Sequence, residues 1–291
     1  MTQSKRFKLT SPKEVRALLE HLGHRPNRGL GQNYLIDANI LDIIAKAATV
    51  KPASTVLEIG PGLGALTERL LERFSRVVAI EKDETMVAHL HSRFPHLELI
   101  ASDALDVDLE ALFAGGINTV AANLPYSVGT RLVIEIVECA HRPDRLSLTL
   151  QKEVVDRMIA PVGTKQYGIL AILTGLFYKN TRIKKISPTC FFPPPKVWSA
   201  VVKMEKHQKE MIDSLAYPSF KTLIKNCFSQ RRKQIGTLLR KQGFTNSEAA
   251  LQQANIHPSD RPERISIQQW IILHQTLFPL KRHTKTICRN N

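Results

Sequence analysis

The sequence predicts an α/β protein whose mostly parallel sheet is followed by a small all-helical domain. Four short apolar segments begin about twenty residues apart, and the helical stretch ALTERLLERF separates the first two. The segments are TVLEIG at 55–60, VVAIE at 77–81, LELIAS at 97–102 and INTVAAN at 117–123. Short apolar strands that alternate with helices are typical of a parallel sheet. After about residue 207 the strand signal disappears and apolar residues recur at helical spacing.

Further elements are predicted on both sides of this core. Residues Pro12–Leu22 have a helical pattern, Gly23–Asn33 reads as a loop, and Asp37 can serve as the N-cap of a helix to Thr49. Later strands are expected at 146–151, 182–187 and 198–206. The last two can pair antiparallel, because the CFFPPPK segment between them cannot lie inside a sheet. Residues 219–243 read as one helical stretch, with NSEAALQQANI and SIQQWIILHQTL as further helices.

These patterns divide the chain into four parts. Residues 1–30 form a basic N-terminal extension, and 31–206 form the α/β domain that carries the chemistry. Residues 207–280 form a helical domain suited to binding a partner, and 281–291 are a basic tail. The segment 201–291 holds 16 Lys and Arg against 6 Asp and Glu. This excess of ten accounts for most of the net charge of the chain.

Composition and charge restrict the class of protein. Hydrophobic residues make up 43% and charged residues 23% of the 291, which excludes a disordered, collagen-like or coiled-coil chain. No window approaches 18 apolar residues, and the N-terminus lacks the apolar core of a secretory signal, so neither a membrane span nor export is expected. The net charge of +15 predicts a polyanionic partner, either a nucleic acid or an anionic membrane surface.

The cysteines point to neither a metal site nor a disulfide framework. Four occur in the chain, far apart, without a CxxC pair and without a histidine at metal-ligand spacing. Free thiols in a reducing cytoplasm are therefore expected, and no metal is predicted.

A glycine-rich turn follows the first predicted strand. Gly60-Pro61-Gly62-Leu63-Gly64 is neither a Walker A loop nor a GxGxxG fingerprint, so alone it could be a simple connection. Glu81 ends the second strand 21 residues after Gly60, the distance at which an acid reaches the ribose of an adenosine-containing ligand. Pairing of Glu81 with Lys82 is the plainer alternative. Asp103, past the third strand, could accept from an adenine amino group or equally cap a helix.

The motif that indicates function most specifically is Asn123-Leu124-Pro125-Tyr126 at the end of the fourth strand. The carboxyl edge of a parallel sheet is where ligands bind. The Asn123 amide oxygen and the carbonyls of the Leu124–Pro125 turn offer several acceptors to one amino group, and Tyr126 offers an aromatic face to a base. A plain strand-to-turn boundary is the alternative interpretation, since Asn and Pro are common turn residues.

Several motifs in order make the chain resemble the ribosomal RNA adenine N6,N6-dimethyltransferases of the KsgA type, from about Arg25 to Leu277. They are GLGQNYLID at 29–37, VLEIGPGLGALT at 56–67, AIE at 79–81, SDAL at 102–105, NLPYSVGT at 123–130, LQKEVVDRM at 150–158, FFPPPKVWSAVV at 191–202, FSQRRK at 228–233 and the RPERIS region at 261–266. The resemblance implies a Rossmann-like, S-adenosylmethionine-dependent methyltransferase sheet with a small C-terminal all-helical domain.

The resemblance also implies roles for individual residues. Cofactor contacts fall on Asn33, Leu35, Gly60, Glu81, Asp103 and Asn123. The target adenine is expected at Asn123, Leu124, Pro125 and Tyr126, with Phe191 as the second face of the base pocket. Four positions depart from the family pattern: Ser127 and Gly129 stand where Asn and Ser are common, Ile169 where Arg is frequent, and Trp198 where Asp is usual. These departures affect the expected RNA-facing surface rather than the reaction.

RNA contacts are expected on basic residues near the motifs and in the helical domain. They are Arg25, Arg28, Lys221, Lys225, Arg231, Arg232 and Lys233. A solvated basic helix face is the ordinary explanation of such a run, but the excess of positive charge in 201–291 goes beyond it.

The implied reaction is dimethylation of N6 of adjacent adenines near the 3′ end of small-subunit ribosomal RNA, with a role in the biogenesis of that subunit. The expected partner is the small ribosomal subunit or its precursor, and a cytoplasmic monomer is expected. Three alternatives stay open from the sequence. They are a large-subunit rRNA methyltransferase of the macrolide-resistance type, a non-catalytic assembly or transcription factor of the same fold, and a DNA N6-adenine methyltransferase.

Overall fold

The computed structural model describes residues 7–26, 32–50 and 54–279, and it confirms the predicted α/β sheet with a helical C-terminal part. The strands are β1 (Tyr34–Leu35), β2 (Thr55–Ile59), β3 (Arg76–Glu81), β4 (Glu98–Ala101), β5 (Thr119–Asn123), β6 (Arg145–Gln151), β7 (Tyr178–Ile186), β8 (Phe191–Phe192) and β9 (Ser199–Lys206). The helices are α1 (Pro12–His21), α2 (Ala38–Ala48), α3 (Ala65–Leu71), α4 (Glu84–Arg93), α5 (Leu109–Ala114), α6 (Gly129–Glu138), α7 (Lys152–Met158), α8 (Ile169–Gly175), α9 (Tyr217–Ser229), α10 (Ile235–Lys241), α11 (Ser247–Gln253) and α12 (Ile267–Leu277).

Seven strands form the main sheet in the order β4-β3-β2-β5-β6-β9-β7. The five strands from β4 to β6 are parallel, whereas β9 runs antiparallel to both of its neighbours. The chain winds outward from β2 to β4 and then returns to the other side of β2 with β5. This reversal is the switch point at which open α/β sheets bind ligands.

The central strands of the main sheet are buried because they are apolar on both faces. Val56, Ala79, Ala121 and Val201 belong to one hydrophobic cluster that also contains much of α2. Helix α2 begins at the predicted N-cap, where the Asp37 carboxylate accepts from the Ile40 N–H at 3.0 Å. Near-continuous apolar strands are expected when helices cover both faces of a parallel sheet.

A second, two-stranded sheet pairs β1 antiparallel with β8. Tyr34 lies opposite Phe192 and Leu35 lies opposite Phe191, so this small sheet joins the GQN region to the proline-rich segment. Strands of two residues have no periodicity, and the sequence therefore gave no signal for either of them.

The chain divides into two compact units, one formed by residues 1–159 and 173–209 and the other by 160–172 and 210–291. The second unit therefore includes 160–172, a segment that the sequence analysis grouped with the α/β domain. Within that unit the Tyr167 hydroxyl donates to the Ile265 carbonyl at 3.0 Å, and the Gly163 N–H donates to the Glu263 carbonyl at 2.8 Å. These long-range bonds explain why 160–172 packs with the helices.

The predicted single helical stretch over 219–243 is wrong, since α9 ends at Ser229 and α10 begins at Ile235. Gln230 has φ −126° and ψ 45°, outside the helical region. The N–H groups of Ile235 and Gly236 donate to the carbonyls of Asp260 and Pro258, at 2.7 and 3.0 Å. Tertiary hydrogen bonds thus replace the bonds that would have continued the helix.

Candidate active site

A cavity of about 310 Å³ opens at the carboxyl ends of β2, β3 and β5, within the first unit. This volume is at the lower end of the range for small-molecule sites. Most of the residues that the sequence singled out line it: Asn33, Leu35, Gly60, Glu81, Asp103, Asn123, Leu124, Pro125 and Tyr126. The sheet topology therefore gathers into one place residues that are up to 93 positions apart in the chain.

The glycine-rich turn closes one side of the cavity in a conformation that side chains would not tolerate. Gly62 has φ +56°, and a Cβ on it would lie 2.9 Å from the Tyr34 ring. Gly64 has φ +86°, and a Cβ there would lie 2.4 Å from the Phe94 ring. Glycines are required at these positions because the turn is left-handed and packs tightly against two aromatic rings.

Glu81, at the end of β3, is 7% exposed. Its Oε1 accepts from the N–H groups of Lys82 and Asp83, at 2.9 and 3.0 Å, and its Oε2 accepts from the Gly62 N–H at 3.0 Å. Burial raises the pKa of this carboxyl, and the three backbone donors oppose that rise. A carboxylate has about four acceptor positions, so Glu81 retains capacity for about one further donor.

A second acid, Glu58, lies on the floor of the cavity and is 1% exposed. Burial raises the pKa of Glu58 to about 8, despite the 2.7 Å hydrogen bond that its carboxylate accepts from the Thr67 hydroxyl. The nearby carboxylate of Glu81 raises it further. Glu58 is therefore mostly protonated at neutral pH, and the cavity floor does not carry two full negative charges.

Asp103 lies at the rim of the same cavity and is more exposed. Its carboxylate accepts from the Leu105 N–H at 3.0 Å and from the Lys82 ammonium at 3.3 Å, and these bonds hold the pKa of Asp103 below its usual range. It caps the turn at 104–106 and not a helix, since α5 begins later with Asp108 as its N-cap. Asp103 is thus an ionised acceptor beside the cavity.

Asn123 ends β5 and has a defined orientation. Its side-chain Nδ2 donates to the Asn33 backbone carbonyl at 3.0 Å. Because a carbonyl can only accept, this bond identifies the amide nitrogen and leaves Oδ1 as the other end of the group. The 90-residue separation of Asn33 and Asn123 means that the GQN region orients the amide of the NLPY motif.

The two carbonyls of the Leu124–Pro125 turn differ in their availability. The Pro125 carbonyl accepts from the N–H groups of Val128 and Gly129, at 3.2 and 2.9 Å, where it closes the first turn of α6. The Leu124 carbonyl accepts no hydrogen bond from the described residues. Of the turn acceptors predicted from the motif, the Leu124 carbonyl is therefore the available one.

Tyr126 is half-buried, and its hydroxyl forms a 2.5 Å hydrogen bond with the Ser199 hydroxyl. Ser199 begins β9 and is fully buried. Burial raises the pKa of Tyr126, so its hydroxyl stays neutral at physiological pH. Ser199 was not predicted as a partner of Tyr126, because the two residues come together only through the pairing of β9 with β6.

Phe191 is not brought to the cavity. It is 2% exposed and packs with Leu35, Ile186 and Val201 in the hydrophobic cluster of the first unit. Phe192, the next residue, is half-buried, packs near Tyr34 and lies 5.6 Å from the Arg16 guanidinium. The second aromatic face predicted at Phe191 is therefore absent from the cavity lining in this conformation.

The expected RNA-binding residues differ in their environments. Arg25, Lys225, Arg232 and Lys233 are exposed, Lys221 is half-buried, and Arg28 lies outside the described residues. Arg231 has a structural role, because its guanidinium donates to the carbonyls of Lys165 and Tyr167 at 3.1 and 3.0 Å. This arrangement separates Arg231 from its exposed neighbours in the FSQRRK motif.

One of the positions that depart from the family pattern has a structural explanation. Gly129 is buried, and a Cβ on it would lie 2.7 Å from the Leu150 side chain, so a serine would not fit without a shift. Trp198 is 46% exposed at the end of the proline-rich loop. Nothing in the structure explains Ser127 or Ile169.

Other classes of site are absent from the described part of the chain. Residues 7–26, 32–50 and 54–279 contain no cluster of three or more His, Cys, Asp or Glu that could hold a metal ion. Cys139, Cys190 and Cys227 are free thiols, while Cys288 lies outside these ranges. Within the same ranges, no helix combines the length and the apolar character that crossing a bilayer requires.

Comparison with known proteins identifies the family. The model of the ribosomal RNA adenine dimethylase family matches residues 23–277. A ribosomal RNA small subunit methyltransferase A from Sphingopyxis alaskensis is 40% identical over 263 residues, which are 88% of this chain and 95% of the relative. The protein of that name from Syntrophotalea carbinolica is 38% identical over 89% of this chain and 99% of its own length.

Solved structures agree on the fold. A dimethyladenosine transferase from Plasmodium falciparum superposes with a TM-score of 0.71 at 25% identity, covering 81% of this chain and 94% of its own. The 23S rRNA methyltransferase ErmE gives 0.63 at 23% identity over 84% of this chain and 98% of its own, which supports the fold alone. With a family model that spans most of its length, this chain belongs to the ribosomal RNA adenine dimethylase family.

Proposed function

We propose that the chain transfers two methyl groups in succession from S-adenosylmethionine to N6 of adjacent adenines near the 3′ end of small-subunit ribosomal RNA. The observation that carries this proposal is the oriented Asn123 amide beside Tyr126, in the same cavity as Glu81. The names of the relatives support the small subunit as the source of the RNA. The substrate is the small ribosomal subunit or its precursor, and the enzyme acts as a cytoplasmic monomer.

The cavity fits S-adenosylmethionine by the chemistry of its donors and acceptors. Glu81 is a buried acceptor with capacity for a ribose hydroxyl, and contact with both hydroxyls would require the Gly62 N–H to give up its bond to Oε2. Asp103 provides an ionised acceptor for the adenine amino group at the rim. Gly60, Asn33 and Leu35 also line the cavity and complete the proposed cofactor contacts.

The residues of the NLPY motif act on the target amine. When bound, S-adenosylmethionine supplies a methyl group on a sulfonium, which is already an activated leaving group. The adenine N6 lone pair is delocalised into the ring and must be freed. In the first transfer, the Asn123 Oδ1 and the Leu124 carbonyl accept the two N6 hydrogens and draw the nitrogen toward a tetrahedral geometry. In the second transfer, one of these acceptors holds the single hydrogen that remains on N6-methyladenine.

Charge develops on N6 as it takes the methyl group, and the same two acceptors stabilise it. Tyr126 stacks on the base and adds a cation–π contribution as the nitrogen becomes positive. The N6 proton is then acidic and leaves to water, so no histidine or cysteine is needed as a general base. The target base must leave the helical stack to reach this site.

The test is methyl transfer in vitro to small and large subunits, each purified from a strain that lacks this gene. Nucleoside mass spectrometry of both ribosomal RNAs should show N6,N6-dimethyladenine in small-subunit RNA only. Methylation of large-subunit RNA instead would favour the macrolide-resistance type of enzyme. If the protein binds the subunit but neither binds S-adenosylmethionine nor transfers a methyl group, it is a non-catalytic assembly factor.

A further inference from the structure

The chain contains two tryptophans, and their environments are opposite. Trp270 is fully buried among the helices of the second unit, whereas Trp198 is 46% exposed in the first unit. Its neighbour Val197 is 44% exposed. A single exposed apolar side chain needs no explanation, but an exposed indole beside another exposed apolar side chain forms a patch.

Trp198 is part of a defined contact. The Lys185 ammonium lies 4.0 Å from the centre of the indole ring, within cation–π distance. Strand register explains this contact, because Lys185 pairs with Ala200 and side chains two residues apart share a face of a sheet. The indole is therefore held against the edge strand β7 while much of its surface stays accessible.

The surroundings of the indole are positively charged. Arg182, Lys185 and Lys196 are all exposed. Asp156 on α7 accepts from Arg182 at 2.5 Å as well as from Lys152. No ion pair with a described residue is formed by Lys185 or Lys196. The other acid on α7, Glu153, pairs with Arg157 at 4.0 Å.

Protection of a sheet edge is the simplest explanation of lysines on β7. Charged side chains and bulges discourage the pairing of an edge strand with another chain, and β7 has a register shift between Arg182 and Lys184. That explanation does not account for the indole, because an exposed aromatic ring favours association. An aromatic face among cations is instead the combination that binds single-stranded nucleic acid.

This surface lies beside the candidate active site. Trp198 immediately precedes Ser199, whose hydroxyl bonds to Tyr126, so their Cα atoms are about 3.8 Å apart. Ser199 is fully buried and faces Tyr126, whereas Trp198 faces solvent. A single peptide bond thus links the proposed target-base site to an exposed aromatic ring.

We propose that Trp198, with Lys185 and Lys196, binds single-stranded RNA and stacks on a nucleotide that flanks the target adenine. The inference rests on the proposed function, since it specifies how the RNA of that reaction is held. Trp198 supplies the stacking face, and the lysines attract the phosphates on either side of the stacked nucleotide. The aspartate usual at this position in the family could do neither.

Intrinsic fluorescence provides a direct test, because Trp198 is exposed and Trp270 is buried. A short single-stranded oligoribonucleotide with two adjacent adenines is titrated into the full chain at several salt concentrations. Saturating RNA should quench the Trp198 emission, and Trp198→Phe should show no such change. Absence of quenching in the wild-type chain while RNA binds would overturn the proposal.

Affinity measurements complete the test. Trp198→Ala should weaken binding of this oligoribonucleotide roughly 5- to 150-fold, as expected for loss of one stacked base, and Trp198→Phe should retain most of the affinity. Lys185→Ala should lower the log–log salt slope by up to about 0.7. Leu71→Ala and Lys46→Ala alter an exposed leucine and an exposed lysine elsewhere in the first unit, and they should change neither quantity.

Two outcomes separate this inference from the proposed function. If Trp198→Ala binds the RNA as the wild type does, the surface has no role in RNA binding, while methyl transfer by the wild type would still support the proposed function. If the wild type transfers no methyl group to adenine, the proposed function fails whatever the fluorescence shows. Unchanged S-adenosylmethionine affinity in every variant, measured by calorimetry, confirms that the first unit is intact.

Discussion

The polar residues of the cavity and the basic residues of the helical unit are held in different ways. In the cavity, Glu81 accepts three backbone N–H groups, Asn123 donates to the Asn33 carbonyl, and Tyr126 bonds to a buried serine. In the helical unit, Arg232 and Lys233 are exposed on the turn between α9 and α10. The cavity fixes its polar groups, whereas these two cations of the helical unit are solvated.

The difference corresponds to two roles of polar groups, namely contact with a reacting atom and attraction of a phosphate backbone. A group that must meet a reacting atom gains from being oriented in advance, because no reorganisation is needed in the transition state. A cation that attracts a phosphate backbone acts at long range and is screened by salt, so its exact position matters less. Changes in the cavity should therefore alter rate or ligand affinity by discrete factors, while changes in the helical unit should alter salt dependence.

The largest effect is expected for Asn123→Ala. Loss of one preorganised polar contact at a reacting centre costs about 2.7–4 kcal/mol, or 10²–10³ in rate. Single-turnover methyl transfer to unmethylated small subunits at saturating cofactor measures this directly, with RNA affinity expected to change little. Cofactor affinity is measured in parallel because Asn123 also lines the cofactor cavity. Near-wild-type transfer would reduce the motif to a structural turn.

The buried Glu58 should make the stability of the folded chain depend on pH. Its pKa is about 8 in the folded chain against an ordinary 4.5, so between these values the folded chain keeps a proton that the unfolded chain has released. Stability should therefore fall as pH rises from about 4.5 to 8 and then level off, by on the order of a few kcal/mol.

The matched variant for this prediction is Glu58→Gln, which cannot ionise but can still accept from the Thr67 hydroxyl. The Tm of the variant minus that of the wild type should increase from pH 5 to pH 8 and stay constant above it. Parallel Tm curves for the two chains would show that Glu58 titrates normally.

For Glu81→Ala we expect weaker S-adenosylmethionine binding, by roughly 1.5–3 kcal/mol for a lost charge-assisted hydrogen bond. Isothermal titration calorimetry measures the change, with circular dichroism to confirm folding, since Glu81 also holds the Gly62 N–H. Asp103→Ala, at the exposed rim of the same cavity, should have a smaller effect. An unchanged affinity in Glu81→Ala would remove Glu81 from the cofactor site.

Tyr126 tests whether orientation or the aromatic face matters more. Tyr126→Ala removes the stacking face and should lose most of the transfer activity, whereas Tyr126→Phe loses only the bond to Ser199, worth about 1 kcal/mol. If Ser199 acts through Tyr126, the turnover defects of Ser199→Ala and Tyr126→Phe should not add in the double variant. Additive defects would assign Ser199 a separate role.

The smallest effects are expected in the FSQRRK motif, and they should differ within it. The double variant Arg232→Ala with Lys233→Ala should lower the salt slope of RNA binding by up to about 0.7 for each lost contact, without altering cofactor affinity. Arg231→Ala should instead lower the Tm, because the carbonyls of Lys165 and Tyr167 lose their donor. A salt slope equal to that of the wild type in the double variant would mean that both cations are merely solvated.

Elements with a clear local sequence pattern were predicted, and elements without one were missed. The strand segments at 55–60 and 77–81 and the N-cap Asp37 were predicted within a residue or two, because their signals are local. The two-residue strands β1 and β8 gave no periodicity. The break between α9 and α10 was missed because hydrogen bonds to Pro258 and Asp260 end the helical pattern there.

The sequence by itself determined the parallel sheet, the excess positive charge and the meeting of Gly60, Glu81, Asp103 and Asn123 at the carboxyl edge, since these depend on local periodicity and on the topology of parallel strands. Only the tertiary structure decided how those residues are oriented. It paired Asn123 with Asn33 and Tyr126 with Ser199, and it placed Phe191 in the core and Trp198 in solvent. Such contacts join residues that are 73 to 90 positions apart, and no local pattern encodes a distance across a folded sheet.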